Sequence, residues 1–500
     1  MEAFWSALVD SFTVGNVFLS IVATFAGIVI GAIPGLSATM AVAILIPFTY
    51  KMGTIASLAM LLGVYCGAVY GGSISAILLN IPGTPAAIMT TLDGNPMAKK
   101  GEGGRAIGVS TIASFCGGII SCVFLIVCCS LLALVAQKFS YPEYFVLAAF
   151  GICLVADSCG ESFLKGIVSG LIGILLSLVG MDALTGQQRF TFGNPYLLGG
   201  LGQVPALIGL FGMSEILNQV FELGVSNKKK MKVGRVVPDK KTLKRLVPTI
   251  LRGSLIGTFI GALPGAGGPV AASIAYNTEK TNSKDPSKFG TGIPEGVAAP
   301  ESANNAVTGG AIIPMLALAV PGDGTTAVLM SAFIIKGIDL GPMIFSQHPE
   351  VVNTTYIFLI LGNIFMLILG LSLARIFAKV IEVDNKILLP VVLLICMVGT
   401  FASASNTFNI YVMIFFGILG FVMQRFKFSL TPMILGLVLG SMAEENFRSA
   451  LTMSQGDYGV FFRPISLVFI IIAAVILAWP RVKRAINKRK SADSNGSDAA

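Results

Sequence analysis

The sequence predicts an all-α polytopic membrane protein with about 10–14 transmembrane or re-entrant helices. It places them in two repeat-related halves, with Pro/Gly-broken helices at the membrane midplane. Three observations carry this. Of 500 residues, 54% are apolar and 12% charged, and mean hydropathy is +0.83; soluble domains carry charge on about a quarter of their residues. Apolar runs such as 165–181 and 465–479 are continuous, unlike the alternating strands of an outer-membrane barrel. Finally, Gly31-Ala32-Ile33-Pro34-Gly35 returns as Gly261-Ala262-Leu263-Pro264-Gly265, and Gly71-Gly72 with Pro82-Gly83 returns as Gly309-Gly310 with Pro321-Gly322. Ordered Pro-Gly signatures at nearly constant spacing point to internal duplication.

The elements follow along the chain. Met1-Glu2-Ala3-Phe4-Trp5 lacks the basic n-region of a signal peptide, so the first apolar stretch is expected to be a retained helix. Helices or helix pairs are expected near 14–33, 54–80, 106–136, 144–157, 164–181, 197–222, 249–262, 351–380, 387–403, 408–424, 430–443 and 465–479. Gly-x-x-x-Gly spacings such as Gly166 to Gly170 suit close helix packing. Interrupted segments fall around 34–47, 82–97, 264–277 and 294–338, where proline removes a backbone donor and glycine loosens the helix. The last residues, 484–500, have a disordered composition.

The net charge of +9 is local. Residues 223–252 hold ten Lys/Arg against Asp239, residues 481–500 hold six against Asp493 and Asp498, and the remaining chain is net negative. Nucleic acid is therefore not an expected partner; the lipid bilayer is. Basic loops stay on the cytoplasmic side, which divides the chain into an N-terminal membrane repeat (1–222), a basic cytoplasmic loop (223–248), a C-terminal membrane repeat (249–480) and a cytoplasmic tail (481–500). The first basic residue is Lys51, so an outside N-terminus is favoured and the halves are expected to be inverted.

Non-helical backbone at membrane depth is tolerated only where protein buries it or where it lines a polar cavity. The breaks are therefore the candidate substrate site. The first half contributes Pro34, Gly35, Ser37, Thr39, Asn80, Pro82, Gly83 and Thr84; the second contributes Pro264, Gly265, Gly267, Ser302, Asn304, Asn305, Thr325 and Thr326. Glu301 and Asp323 are the candidates for a coupling cation or proton, because an acid at membrane depth is costly and is retained for such a role. Asp157, Glu161, Glu215, Glu444 and Glu445 fall near expected helix ends and are weaker candidates. Basic side chains are scarce here, so an anion would be held by half-helix N-termini, backbone amides and hydroxyls.

Enzymatic readings find no support. His348 is the sole histidine, no Walker A motif is present, and Gly322-Asp323 lacks the form expected of a membrane aspartyl protease. The eight cysteines form no Cys-x-x-Cys pair and suit buried apolar positions, so no zinc or iron–sulfur site and no cofactor beyond Na⁺ or H⁺ is expected.

Several long strings resemble the large membrane subunit of the tripartite tricarboxylate transporter family, TctA-type. They are Gly31 to Thr39, Tyr70 to Pro85, Leu92-Asp93-Gly94-Asn95-Pro96-Met97, Arg189-Phe190-Thr191-Phe192-Gly193, Gly261 to Gly268 and Glu295 to Asn305. The polar stretch Asp157-Ser158-Cys159-Gly160-Glu161 departs from the pattern. The resemblance implies a secondary importer, driven by a Na⁺ or H⁺ gradient, of tricarboxylates such as citrate or related organic acids. It also implies a small four-helix membrane subunit (TctB-type), an extracytoplasmic solute-binding protein (TctC-type) and residence in the bacterial inner membrane. A passive anion channel or pore-forming scaffold is the competing expectation.

Overall fold

The computed structural model describes residues 2–136, 138–158, 163–182, 184–221, 234–380, 385–404 and 406–474. Glu161, Cys159 and the 484–500 tail lie outside them. The described chain is helical apart from one small hairpin pairing Gly180–Met181 with Gln188–Arg189. Among the described residues, six helices are long and apolar enough to cross a membrane: Val14–Ala32, Thr54–Leu79, Pro85–Leu131, Gln203–Phe221, Pro349–Ser372 and Phe408–Arg425. Shorter apolar helices accompany them.

Two helices form the centre. Every residue from Ser57 to Leu78 in Thr54–Leu79, and from Gly296 to Ala317 in Pro294–Leu318, is buried. Neither has a solvent face, and apart from Glu301, Asn304 and Asn305 of the second their buried stretches are mostly apolar or small-residued. Each pairs with a partner through glycines. A Cβ on Gly27 would meet the Val64 backbone, and one on Gly31 would lie 2.2 Å from Ala68 O; on the other side, Gly71 sits against Ile28 O. In the second half Gly257 abuts the Ala303 backbone, Gly261 abuts Val307 Cα, and Gly310 sits against Thr258 O. Small residues let the backbones approach where apolar burial gives little drive within lipid.

These contacts superpose by sequence shift: residues of Val14–Ala32 map onto Lys240–Gly261 at an offset of 230, and those of Thr54–Leu79 onto Pro294–Leu318 at 239. The register pairs Gly71 with Gly310, one residue from the pairing with Gly309 that the Gly-Gly motifs imply. Within each pair the contacts advance together, so the two helices run parallel, and a shorter helix returns between them: Ala38–Thr49 in the first half, Gly267–Asn282 in the second. After each central helix the chain turns through a left-handed residue, Asn80 (φ 59°) or Ala319 (φ 54°), into a tip. Gly83 N donates to Gly72 O at 3.2 Å in the first tip, and Gly265 N donates to Gly322 O at 2.7 Å at the second. Tip helices follow, Pro85 to Met97 and Gly324–Ile335.

The halves run in opposite directions. At one end Asn95 Nδ2 donates to Ile77 O at 3.0 Å. Beside it, buried Asp93 accepts from the amides of Gly290, Gly292 and Ile293 and from the Tyr276 hydroxyl, just ahead of Pro294. Arg105 reaches Asp239 of the basic segment at 3.7 Å, at this same end. At the other end Lys336 Nζ donates to Thr49 O and Met52 O, both at 2.6 Å. The last turn of Thr54–Leu79 thus meets the first turn of Pro294–Leu318, which is the geometry of inverted repeats.

Three expectations change. The helix expected over 164–181 ends at Ser177, and Gly180–Met181 pairs in the hairpin. The helix expected from 249 begins at Lys240, because Asp239 caps it by accepting from Thr242 N at 3.0 Å. The expected interruption spanning 294–338 is confined to 319–323: Pro294–Leu318 continues through Pro300 and Pro314. Proline removes a single intrahelical bond, and here Ala-rich flanks and tightly packed neighbours hold the helix. Away from the centre, Asp182 pairs with Arg189 (2.7 Å) and Arg448 (2.6 Å), and Glu444 pairs with both arginines, fastening the hairpin to Leu430–Met453. The Arg448 guanidinium holds the Asp182 carboxyl well below the usual carboxylate range.

Candidate functional site

The four interruptions enclose one cavity of about 300 Å³, at the small end of the range for ligand pockets. Its walls obey the repeat register. Ser37, Ala38 and Thr39 face Gly267, Gly268 and Pro269 at the 230 offset; Tyr65 and Val69 face Asn304 and Thr308, and Thr84, Pro85 and Ala86 face Asp323, Gly324 and Thr325, at 239. The cavity therefore lies on the pseudo-two-fold axis. Phe211, carried by the π-helical stretch Ile208–Met213, and Thr431 complete the wall outside the repeat. Among the described residues, no Lys, Arg or His lines it.

Apart from Tyr65, Val69, Asn304 and Thr308 of the two central helices, the repeat-related wall segments are first turns of helices. Ala38–Thr49 and Gly267–Asn282 begin here after glycines with positive φ, Gly35 (89°) and Gly265 (83°), where the chain reverses. The tip helices begin at Pro85 and Gly324. Free amides and the positive dipole ends of four helices thus converge on one space. Thr39 and Thr325 share a hydrogen bond of 2.8 Å across the two halves. Asn304 Nδ2 donates to Val69 O at 3.3 Å. The Tyr65 hydroxyl lies beside the Asp323 carboxyl and interacts with it, whereas Thr84 Oγ1 has no hydrogen-bond partner among the described residues.

Of the sequence candidates, Ser37, Thr39, Thr84, Gly265, Gly267, Asn304, Asp323 and Thr325 line the cavity. The others shape it from behind or face elsewhere. Pro34 and Pro264 form the breaks, and Gly35 abuts the Gln219 side chain. Pro82 and Gly83 build the first tip, with Gly83 pressed on Gly31 O and Gly72 Cα, while Asn80 is the exposed left-handed end of its helix. Thr326 serves as the partner in the Asp323 cap. Ser302 packs against Gly253 and Gly117.

Glu301 and Asn305 face Gly103–Ala136. Glu301 is fully buried; Thr90 Oγ1 donates to Oε1 and Ser114 Oγ to Oε2 at 3.3 Å, while Asn305 Nδ2 donates to Ser114 Oγ at 2.7 Å. No basic group pairs with Glu301 among the described residues. The two candidate acids thus occupy separate surroundings, and only Asp323 reaches the cavity. Tyr65, Val69, Thr308, Gly268 and Pro269 were missed by the sequence reading. The register offers a signal for two of them, since subtracting 239 from Asn304 lands on Tyr65 and adding 230 to Thr39 lands on Pro269. Phe211 and Thr431 carry no such signal.

A multi-pass helical chain with inverted pairs of interrupted helices around an oxygen- and amide-lined cavity has the build of a membrane transporter. The chain belongs to the tripartite tricarboxylate transporter TctA family, whose model matches residues 17–435. It is similar to an Agrobacterium vitis protein described as an uncharacterized 52.8 kDa protein in the TAR-I ttuC' 3' region, 36% identical over 469 residues and 93% of each chain. A second Agrobacterium vitis protein, described as an uncharacterized protein in the TAR-II ttuC' 3' region, is 37% identical over 225 residues, 44% of this chain and 93% of that relative. No solved structure matches the chain.

Proposed function

We propose that this chain is the large membrane subunit of a binding-protein-dependent secondary importer, and that an organic carboxylate passes through the cavity on the pseudo-two-fold axis. The observation that supports this most is the convergence of four helix N-termini on a small cavity lined by hydroxyls, one amide and one carboxylate, with no basic side chain among the described residues. Such a space favours an anion through backbone dipoles and provides Asp323 for a coupling Na⁺ or H⁺. Glu301, enclosed in its hydroxyl network, is a second cation candidate, remote from the substrate.

A TctB-type four-helix subunit and a TctC-type solute-binding protein complete the assembly in this reading. The chain sits in the bacterial cytoplasmic membrane with the basic segment and tail inside. Residues 49–52 then lie outside with the N-terminus, since Lys336 binds them at the end opposite Asp239.

The test is uptake of labelled di- and tricarboxylates into vesicles holding all three subunits, with Na⁺ and pH gradients varied independently. Uptake should require one gradient, and Asn304→Ala should abolish it with the protein still in the membrane. Flux that persists after both gradients collapse would identify a passive channel instead.

A further inference from the structure

We propose that the cavity is divided across its pseudo-two-fold axis: the side built by Gly268, Thr84 and Ala86 receives a carboxylate group of the transported acid, the side built by Asp323, Thr39, Thr325 and Tyr65 holds the coupling cation, and Gly267, where a Cβ would lie 3.7 Å from Asp323 Cβ, marks the boundary. The division rests on reading the cavity as the transport site. Its basis is that the four helix N-termini occupy repeat-related positions and are unequal in chemistry.

Two of the four are closed by their own side chains. Ser37 Oγ accepts from Met40 N at 3.1 Å. Asp323 Oδ1 accepts from Thr326 N at 2.8 Å, and the Thr326 hydroxyl accepts from Asp323 N at 2.9 Å, a complete capping box. These termini have spent a donor on a cap, and Asp323 sets a negative charge at one of them that repels an anion. The Thr39–Thr325 bond places the two side by side.

The equivalent positions are bare. Where the first half has Ser37, the second has Gly267, and the 16-residue helix it opens has no side-chain cap among the described residues. Where the second half has Asp323, the first has Thr84, which makes no cap. These open termini are also neighbours: a Cβ on Gly268 would lie 3.0 Å from Ala86 Cβ. Thr84 supplies an independent sign of a ligand. It lines the cavity at 6% exposure with its hydroxyl buried and unpartnered, an arrangement that is costly until something accepts from or donates to it.

The opposite side has the complementary set of oxygens. The Asp323 carboxyl shares this side with the Thr39 and Thr325 hydroxyls and with the buried Tyr65 hydroxyl, which is 1% exposed and turned to the carboxyl. Hard cations are held by carboxylate and neutral oxygens of this kind, and a proton would rest on Asp323 itself. Anion and cation bound side by side away from bulk water attract strongly, so each raises the other's affinity by the same factor. The partition is thereby a coupling device.

The experiment uses the full chain, with labelled citrate as probe, titrating Na⁺ at fixed pH and pH at fixed Na⁺. Thr84→Val keeps the shape of the residue and should raise the citrate half-saturation about tenfold, the cost of one hydrogen bond to a charged group, with ion dependence unchanged. Thr39→Val and Asp323→Asn should shift or abolish the dependence on one ion, while Thr39→Val at saturating ion leaves citrate half-saturation within about twofold. Equal citrate effects of Thr84→Val and Thr39→Val would overturn the partition and leave the cavity as transport site. Ion dependence untouched by both Thr39→Val and Asp323→Asn would overturn the cation side. Citrate and ion responses unchanged in all three variants would overturn the cavity reading, and the partition with it. Membrane level and gel-filtration profile, checked for each variant, separate these outcomes from misfolding.

Discussion

The two tips, residues 80–86 and 319–325, have the same backbone and different side chains. Each begins with a left-handed residue, Asn80 or Ala319, and turns back through a proline and a glycine to the end of the paired helix: Gly83 against Gly31 O, Gly322 against Gly261 O. Each then opens a helix at the cavity. Yet the residue that starts that helix is Thr84 in one tip, uncapped and with an idle hydroxyl, and Asp323 in the other, capped and charged. Backbone reversal inside a helical membrane core depends on glycine and close approach, which tolerate few alternatives. Side chains aimed at a cavity carry no such constraint. The scaffold has stayed two-fold while its contents diverged, as the proposed partition between two unlike ions would require.

The comparison breaks first if the shared backbone is not equally needed in both halves. A Cβ at Gly83 would lie 2.2 Å from Gly31 O and 2.7 Å from Gly72 Cα; one at Gly322 would lie 2.5 Å from Gly261 O and 2.6 Å from Ala311 Cα. All four are backbone atoms that cannot rotate away. Gly83→Ala and Gly322→Ala are each expected to cost roughly 1–3 kcal/mol or more and to abolish uptake, with both variants unfolding at lower temperature in detergent. A large loss in one and none in the other would show that the tips are not equivalent.

A smaller effect separates the side chains. Asp323→Ala removes a capping box and should destabilise the chain by about 1 kcal/mol, at most about 2. Thr84→Ala removes no cap and should leave the unfolding temperature nearly unchanged, although it impairs carboxylate affinity. Thermal unfolding of both variants, with ligand absent, measures the difference; equal losses would mean that Thr84 caps its helix as Asp323 does.

Which parts of this were legible in the sequence follows from how local each signal is. Pro34-Gly35, Pro82-Gly83, Pro264-Gly265 and Pro321-Gly322 act through their own backbone, so the four reversals could be read directly. The string Pro300 to Asn305 could not. It reads as one polar patch, but on a helix each successive residue turns by about 100°. Asn304 therefore reaches the cavity, Ser302 meets Gly253, and Glu301 and Asn305 face Ser114. Helix phase was hidden because nearly every side of Pro294–Leu318 is buried and no apolar stripe fixes its rotation. Tyr65 escaped for the same reason: it stands in an apolar run without punctuation, and its role depends on the inverted partner helix that brings Asn304 opposite.

The finest contrast lies at the left-handed residues that open the tips. A side chain with a Cβ pays roughly 1–2 kcal/mol in this conformation, and asparagine is among the few that adopt it readily. Asn80 meets the demand with its side chain, whereas Ala319, almost fully buried at 1% exposure, bears the penalty. Ala319→Gly is therefore expected to stabilise the chain by about 0.5–1 kcal/mol, the strain relieved less the added freedom of the unfolded glycine. Asn80→Gly should change stability by less than about 0.5 kcal/mol, because there is little strain to relieve. Thermal unfolding of the two variants beside the parent reads both. If Ala319→Gly also slows uptake while Asn80→Gly does not, the strain at Ala319 contributes to positioning Asp323, and the divergence of the tips extends into their backbones.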